Sequence, residues 1–159
     1  MNRPGRLLRL RVNGHIREVY CRDAATLLDV LREECGLTGT KRGCDLGTCG
    51  CCAIQVEGEP TLSCLTLAAE VEGKDLRTIE GLAEAERFAP LQEAWADAGA
   101  SQCGFCSPGF LMTADALLAR NPSPSRVEIR EALAGNLCRC TGYVKIVDAV
   151  EKCAREGSS

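Results

Sequence analysis

The first part of the chain alternates between apolar and polar residues. Residues 8–12 and 16–20 each alternate with a period of two, and the Asn-Gly pair between them favours a type I′ turn. This pattern predicts a β-hairpin. Thr26 is a suitable helix cap, and the apolar face behind it predicts a helix that ends near residues 35–36, where a glycine stands. The chain is therefore expected to begin with a ββα unit.

The periodic pattern stops over residues 41–52, which contain four cysteines. Gly43, Gly47 and Gly50 lie among these cysteines, and the interior of a helix or strand would not favour so many glycines. We therefore expect residues 41–52 to form an irregular, wrapped loop.

Strand-like segments return after this loop. The sequence predicts a second hairpin from residues 53–56 and 61–64, joined by a four-residue turn at 57–60, and a further short strand at 76–79. These elements predict an α+β fold for the first half of the chain.

The second half has no strand-like alternation. Residues 82–98 are rich in Ala, Glu and Leu, which are strong helix formers. Pro108 suits the first turn of a helix that runs to about Arg120, and Ser125 with Glu128 predicts a capping box at the start of the next helix. A last helix is expected after the glycine at position 142.

These patterns place a domain boundary near residues 78–86. We therefore predict two domains, an α+β domain over residues 1–80 and an all-helical domain over residues 81–159.

Composition narrows the possible functions. The formal net charge is −3 and no basic residues are clustered, which argues against nucleic acid as a partner. The chain does not open with the apolar core of a signal peptide, and no apolar run reaches membrane-spanning length. These features predict a cytoplasmic protein without a membrane span.

Twelve cysteines in 159 residues are the strongest chemical signal. Without an export signal, thiolates that bind metal are a better interpretation than disulfides. Cys44, Cys49 and Cys52 stand as C-x4-C-x2-C with Cys64 further on, which is the plant-type spacing for a 2Fe-2S cluster. A glycine-rich loop suits such a cluster because it lets backbone N–H groups approach the sulfur atoms.

A second cysteine set lies in the helical half. Cys103 and Cys106 form one pair, and Cys138 and Cys140 form another after a predicted helical hairpin that would bring the two pairs together. The C-x-C spacing is unusual for structural zinc, so it favours a second 2Fe-2S cluster.

Four cysteines remain without an assigned role. Cys51 could replace Cys52 as a ligand, but only Cys52 completes the plant-type spacing. Cys21, Cys35 and Cys153 are interpreted as small buried or half-buried thiols.

Three motifs carry a resemblance to a known family. They are K-R-G-C-D-L-G-T-C-G-C-C at 41–52, Q-C-G-F-C-S-P-G at 102–109 and G-N-L-C-R-C-T-G-Y at 135–143. They resemble the signatures of the small iron-sulfur subunit of molybdenum hydroxylases, the family of xanthine dehydrogenase, aldehyde oxidoreductase and carbon monoxide dehydrogenase. The resemblance implies a β-grasp 2Fe-2S ferredoxin domain followed by an all-α helical-bundle 2Fe-2S domain.

The resemblance also implies partners and a route for electrons. Gln102 and Cys140 would contact the molybdopterin, which a large molybdenum-binding subunit holds. Electrons would pass through the helical-domain cluster and the plant-type cluster to FAD in a medium subunit. The chain itself shows no catalytic site.

The resemblance suggests that the substrate of the whole enzyme is aromatic, heteroaromatic, an aldehyde or an aromatic acyl-CoA. The segment that begins at residues 121–126 and continues through the last motif is similar to the small subunit of 4-hydroxybenzoyl-CoA reductase, in which electrons run inward to the substrate. At Cys51 the family usually has alanine, and this thiol is hypothesised to be oxidation-sensitive.

Two alternatives stay open from the sequence. The first is a zinc-stabilised interaction module, and the second is a free-standing two-cluster ferredoxin. Iron-sulfur absorption distinguishes the first from the lead hypothesis, and co-purification with larger subunits distinguishes the second.

Overall fold

The computed structural model describes residues 5–85 and 88–157. The expectation for the opening of the chain concerns residues 1–4, and the predicted helical segment 82–98 includes residues 86 and 87. These positions lie outside the described residues.

The first half of the structure is built on a mixed sheet of strands in the order β2-β1-β5-β3-β4. Strands β1 (Gly5–Val12) and β2 (His15–Arg22) pair antiparallel as the predicted hairpin. The left-handed backbone at Asn13 and at the glycine after it, with φ of 53° and 78°, confirms the type I′ turn. Alternate side chains of β1 are buried, so one face of the hairpin contributes to the core.

The second hairpin differs from the prediction in its boundaries. Strand β3 (Ala53–Val56) pairs antiparallel with β4 (Glu59–Leu62), so the turn contains two residues instead of four. Glu57 and the glycine after it have φ of 52° and 83°, which is again the type I′ geometry. Pro60 had indicated a turn, but β4 is an edge strand and tolerates a residue without an N–H.

The predicted strand at 76–79 is shorter than expected. Strand β5 (Asp75–Arg77) pairs parallel with β1 and antiparallel with β3. The chain then turns at Thr78 into helix α2 (Ile79–Ala83).

The helix after the first hairpin is confirmed, with a change of geometry inside it. Thr26 caps helix α1 (Leu27–Asp29) by accepting a hydrogen bond of 3.1 Å from the Asp29 N–H. The helix continues as a π-helical turn at Val30–Glu34 and ends at Cys35, before a glycine with φ of 69°.

The second half of the described structure is helical apart from its loops. The helices that follow α2 are α3 (Ala89–Asp97), α4 (Ser107–Arg120), α5 (Arg126–Ala132) and α6 (Val144–Glu156), with a short 3-10 turn at Leu133–Gly135. A second 3-10 turn, Ala68–Val71, lies in the first half, before β5. The predicted helical segment 82–98 is therefore interrupted, because α2 ends at Ala83. The chain carries an Ala-Glu-Ala stretch there without a strong apolar face.

Buried apolar residues form two clusters. One lies under the sheet and contains α1, with Leu10, Leu27 and Leu76 fully buried. The other lies among the helices, with Phe88 and Phe110 fully buried. Within the described ranges, no helix is long and apolar enough to cross a membrane.

Candidate metal centres

The first cysteine set lies on the loop between α1 and β3 and on the segment after β4. The loop closes on itself through two backbone hydrogen bonds, from Lys41 N–H to the Cys51 carbonyl at 3.2 Å and from Ala53 N–H to the Gly50 carbonyl at 3.1 Å. Ser63 fixes the fourth cysteine near the loop, because its hydroxyl donates to the Cys52 carbonyl at 2.7 Å. The β3–β4 hairpin therefore brings Cys64 back to the loop that carries the other three cysteines of this set.

The four thiols of this set meet in pairs. The Cys44 and Cys49 side chains are hydrogen-bonded, and so are those of Cys52 and Cys64. Cys49 also lies within electrostatic range of Cys52. The structure thus brings all four predicted ligands of the first cluster into one neighbourhood.

The glycines of the loop leave room for the thiols. A Cβ on Gly43 would lie 2.7 Å from the Cys49 sulfur, so a larger residue would displace a predicted ligand. Gly47 has φ of 71°, and a Cβ there would collide with Leu65. Gly50, also predicted as a loop residue, packs against the helical half near Asn136.

Hydrogen bonds at the first centre favour the thiolate form of Cys44. The Leu46 N–H, which lies 3.4 Å from the Cys44 sulfur, together with Thr48 and Cys49, lowers the pKa of Cys44 to about 6. Burial raises the pKa of Cys52 to about 11. Because metal binding requires the thiolate, a metal at this centre would have to displace the proton of Cys52.

The second cysteine set lies at helix ends, as predicted. Cys106 is the residue before α4, and Cys138 and Cys140 lie on the loop that precedes α6. The sulfur atoms of Cys103 and Cys140 are 3.7 Å apart, and the side chains of Cys106 and Cys138 are hydrogen-bonded. These four thiols therefore also meet in two pairs.

Polar contacts orient this second centre. The pKa of Cys138 is lowered although burial opposes its ionisation, because the Thr141 hydroxyl donates to its sulfur at 3.1 Å. Burial, followed by the neighbouring Cys138, raises the pKa of Cys106 to about 12. The Gln102 amide donates to the Cys140 carbonyl at 3.1 Å, so the two predicted pterin contacts lie side by side.

The pairing pattern bears on which metal the site could hold. Across residues 5–85 and 88–157, no three or more His, Cys, Asp or Glu side chains converge as a site for a single metal ion. A tetrahedral zinc ion requires four donors around one atom, whereas each iron of a 2Fe-2S cluster takes two thiolates. Two pairs of thiols at each centre match the ligand arrangement that a 2Fe-2S cluster requires.

Both centres reach the surface beside exposed apolar side chains. Leu46 and Leu65 flank the first centre and are 75% and 62% exposed, while Phe105 and Leu137 flank the second and are 46% and 51% exposed. Gln102 is exposed as well. Exposed apolar groups around a redox centre are typical of a surface that a partner covers.

Cys51 does not occupy an exposed position. Its side chain is only 6% exposed, and burial, together with Cys49, raises its pKa to about 12. A buried, protonated thiol is poorly reactive toward oxidants, so the structure argues against the hypothesis that Cys51 is oxidation-sensitive. Cys21 and Cys153 are buried and Cys35 is half-buried, as expected from the sequence.

Sequence reasoning missed the contact between the two cysteine loops. The Leu137 N–H donates to the Cys49 carbonyl at 2.9 Å, and the Asn136 amide donates to the Gly50 carbonyl at 3.1 Å. Asn136 and Leu137 belong to the third motif, at residues 135–143. Their closeness to Cys138 along the chain was the only sequence signal for this contact.

Two protein families match the chain. The family described as "2Fe-2S iron-sulfur cluster binding domain" matches residues 10–83, and the family described as "2Fe-2S binding domain" matches residues 78–151. The fold and the two matches together define a protein with two 2Fe-2S binding domains, the first of the β-grasp ferredoxin type and the second helical.

Known proteins narrow this class. The chain is 52% identical over 141 residues to the nicotine 6-hydroxylase small subunit of Paenarthrobacter nicotinovorans, covering 89% of this chain and 85% of that subunit. It is 45% identical over 151 residues to the nicotinate dehydrogenase small FeS subunit of Eubacterium barkeri, covering 92% and 96%. The crystal structure of quinoline 2-oxidoreductase from Pseudomonas putida 86 aligns with a TM-score of 0.91 at 46% identity, covering 97% of this chain and 96% of that chain.

The chain belongs to the family of small iron-sulfur subunits of molybdenum hydroxylases. It is the electron-transfer subunit of such an oxidoreductase, as the sequence predicted.

Proposed function

We propose that this chain relays electrons between molybdopterin in a large molybdenum-binding subunit and FAD in a medium subunit. Cys44, Cys49, Cys52 and Cys64 would hold the first 2Fe-2S cluster, and Cys103, Cys106, Cys138 and Cys140 would hold the second. The observation that carries this proposal is the meeting of the thiols as two pairs at each centre.

The two clusters would supply one-electron carriers, and the chain would hold and orient them. Backbone and side-chain donors that favour thiolate at Cys44 and Cys138 suit anionic clusters. The neighbourhood of the Cys103 and Cys140 pair is open, and the Gln102 amide lies next to it. This arrangement supports a pterin contact at Gln102 and Cys140, with the second cluster nearer to molybdenum.

The same proposal assigns one cluster to each predicted domain, residues 1–80 and residues 81–159. The separate apolar clusters under the sheet and among the helices support this division. A cytoplasmic location is also proposed, because a chain with twelve free cysteines suits a compartment that keeps thiols reduced.

For the complete enzyme we propose a nitrogen heteroaromatic substrate that is hydroxylated at a ring carbon. The names of the relatives described above support this class, since they refer to nicotine, nicotinate and quinoline. The finer subtype suggested by residues 121–126, which resembles 4-hydroxybenzoyl-CoA reductase, stays a prediction. The two proposed enzyme types differ in the direction of electron flow: a hydroxylase takes electrons from its substrate, whereas in 4-hydroxybenzoyl-CoA reductase electrons run inward to the substrate.

Purification of the native complex tests the relay. We expect co-purification with a large and a medium subunit, together with iron, molybdenum and FAD and a red-brown iron-sulfur absorption. A colourless chain loaded with zinc would overturn the proposal, and a stable, redox-active monomer as the only native form would instead support a free-standing ferredoxin.

Turnover assays on the same preparation test the substrate class. Quinoline and nicotinate with an artificial electron acceptor should bleach and then restore the iron-sulfur absorption. Reduction of 4-hydroxybenzoyl-CoA by a low-potential donor, without activity on the heteroaromatic compounds, would favour the other subtype.

A further inference from the structure

The loop that leads into α6 carries a closed ring of three hydrogen bonds. The Thr141 hydroxyl donates to the Cys138 sulfur at 3.1 Å, and the Tyr143 N–H donates to the Thr141 hydroxyl oxygen at 3.3 Å. The Tyr143 hydroxyl in turn accepts from the Cys138 N–H at 3.0 Å. The ring therefore begins and ends at Cys138, a proposed ligand of the second cluster.

Tyr143 closes this ring in an unfavourable backbone conformation. Its φ is 69°, in the left-handed region that bulky residues rarely occupy. Its aromatic ring meets the fully buried Phe110 edge to face, with 6.2 Å between the ring centroids. Such a conformation persists only where several contacts hold it at once, and here the N–H, the aromatic ring and the hydroxyl of Tyr143 are all engaged.

The ring fixes the orientation of the Thr141 hydroxyl. A hydroxyl has one proton to donate and accepts through its oxygen, so the Tyr143 N–H on that oxygen leaves the proton to point at the Cys138 sulfur. The main-chain N–H groups of Cys140 and Thr141 also bond to this sulfur. Those groups do not depend on the side chain at position 141, so the hydroxyl is the one donor that a substitution there removes.

The second centre lies where two helices begin. Cys106 directly precedes α4, and the loop that contains Cys138 leads into α6. A helix N-terminus carries partial positive charge and stabilises negative charge beside it. Reduction adds one electron to a 2Fe-2S cluster and makes its thiolate ligands more negative. A hydroxyl that donates to such a ligand therefore stabilises the reduced form more than the oxidised form, which raises the reduction potential.

We propose that Thr141 is a positioning residue whose hydroxyl raises the reduction potential of the second cluster through Cys138, and that Tyr143 holds this hydroxyl in its donating orientation. This inference rests on the proposed function, because it assumes the ligand set given there. The added electron breaks no bond of the chain and moves no proton. A raised potential favours uptake of electrons from molybdopterin, which is the direction that a hydroxylase needs.

The test is a redox titration of the intact complex, followed by EPR. Thr141→Val removes the hydroxyl and nearly keeps the shape of the side chain. It should lower the reduction equilibrium constant of the second cluster by about tenfold, which is about 59 mV for a one-electron couple. The first cluster of the same molecules is the internal reference and should keep its potential. Thr141→Ser retains a hydroxyl and should keep the second potential near the wild-type value.

Two further variants test the orientation and the specificity. Tyr143→Phe keeps the ring against Phe110 but loses the acceptor for the Cys138 N–H, so it should lower the same potential by a smaller amount. An unchanged or raised potential would overturn the role of Tyr143. Thr113→Val is the matched control, because the Thr113 hydroxyl donates to a carbonyl inside α4, at 3.0 Å. It should change neither potential, and a shift equal to that of Thr141→Val would overturn the proposal.

The possible failures are distinguishable. A wild-type complex without two 2Fe-2S clusters would overturn the proposed function before any variant is compared. A complex with both clusters, and with the wild-type second potential in Thr141→Val, would overturn only the role of Thr141. If Thr141→Val loses iron, Thr141→Ala, which leaves more room beside the sulfur, and Tyr143→Phe decide the question by the same potential.

Discussion

The side-chain amide of Gln55 donates a hydrogen bond to the Asp115 carboxylate at 2.8 Å, and both residues are almost fully buried. The same amide donates to the Met112 carbonyl at 3.0 Å. Gln55 lies on β3, directly after the first cysteine loop, while Asp115 lies on α4, directly after the second. A buried polar contact therefore ties the sheet to the helical half.

Loss of this contact should weaken the whole chain. Gln55→Ala should lower the free energy of unfolding by about 1–3 kcal/mol, because a buried partner loses its donor. Chemical denaturation of the cluster-containing protein measures this change. Gln92→Ala removes an exposed glutamine on α3 and should alter the same free energy by no more than about 0.5 kcal/mol. Equal effects of the two substitutions would contradict the role of Gln55.

The cap of α5 should contribute a measurable part of the stability. The Ser125 hydroxyl accepts from the Glu128 N–H at 3.3 Å, and the Ser125 N–H donates to the Glu128 carboxylate at 2.7 Å. Ser125→Ala should lower the free energy of unfolding by about 1 kcal/mol. Ser125→Gly should lower it by only a few tenths of a kcal/mol. A larger loss with glycine than with alanine in thermal unfolding would argue against side-chain capping.

The same cap predicts a dependence on pH. Hydrogen bonds from the Ser125 hydroxyl and N–H lower the pKa of Glu128 below its ordinary value of 4.5. A lowered carboxylate pKa contributes stability above the ordinary value and loses it as the pH falls through the folded-state value. The stability difference between the wild type and Glu128→Gln should therefore be constant from pH 7 to pH 5 and shrink below about pH 4.5. A difference that grows on acidification would contradict this assignment.

Cys51 should be inert in air. Because its thiol is buried and protonated, Cys51→Ala should not change the half-life of the visible iron-sulfur absorption in air. Cys153→Ala, which removes a buried thiol from the helical half, is the matched control. A longer half-life in Cys51→Ala alone would restore the hypothesis of an oxidation-sensitive thiol.

Each cysteine set should serve one cluster independently. Cys64→Ser should remove or destabilise the cluster of the first set, and Cys140→Ser should do the same for the second, because each change breaks one thiol pair. Iron analysis should then show about half of the wild-type content, and EPR should retain one of the two reduced signals. Loss of both signals in either variant would indicate that the two halves fold as a single unit.

Local patterns in the sequence predicted most secondary structure. The Asn-Gly turn, the Thr26 cap and the Ser125 capping box were all predicted because each depends on residues within a few positions of one another. The errors were also local. Pro60 indicated a turn although it lies on an edge strand, and the helical composition of residues 82–98 did not reveal where α2 ends.

The sequence by itself predicted which cysteines would hold the clusters, because the spacing of thiols along a glycine-rich loop or at helix ends follows from the covalent chain. Only the tertiary structure decided how the two sets face each other. The bonds from Leu137 to Cys49 and from Asn136 to Gly50 join residues far apart in the chain, and they form only after the sheet and the helices have packed. Such contacts depend on packing and leave no periodic signal, so the position of Asn136 could not be assigned a role from sequence.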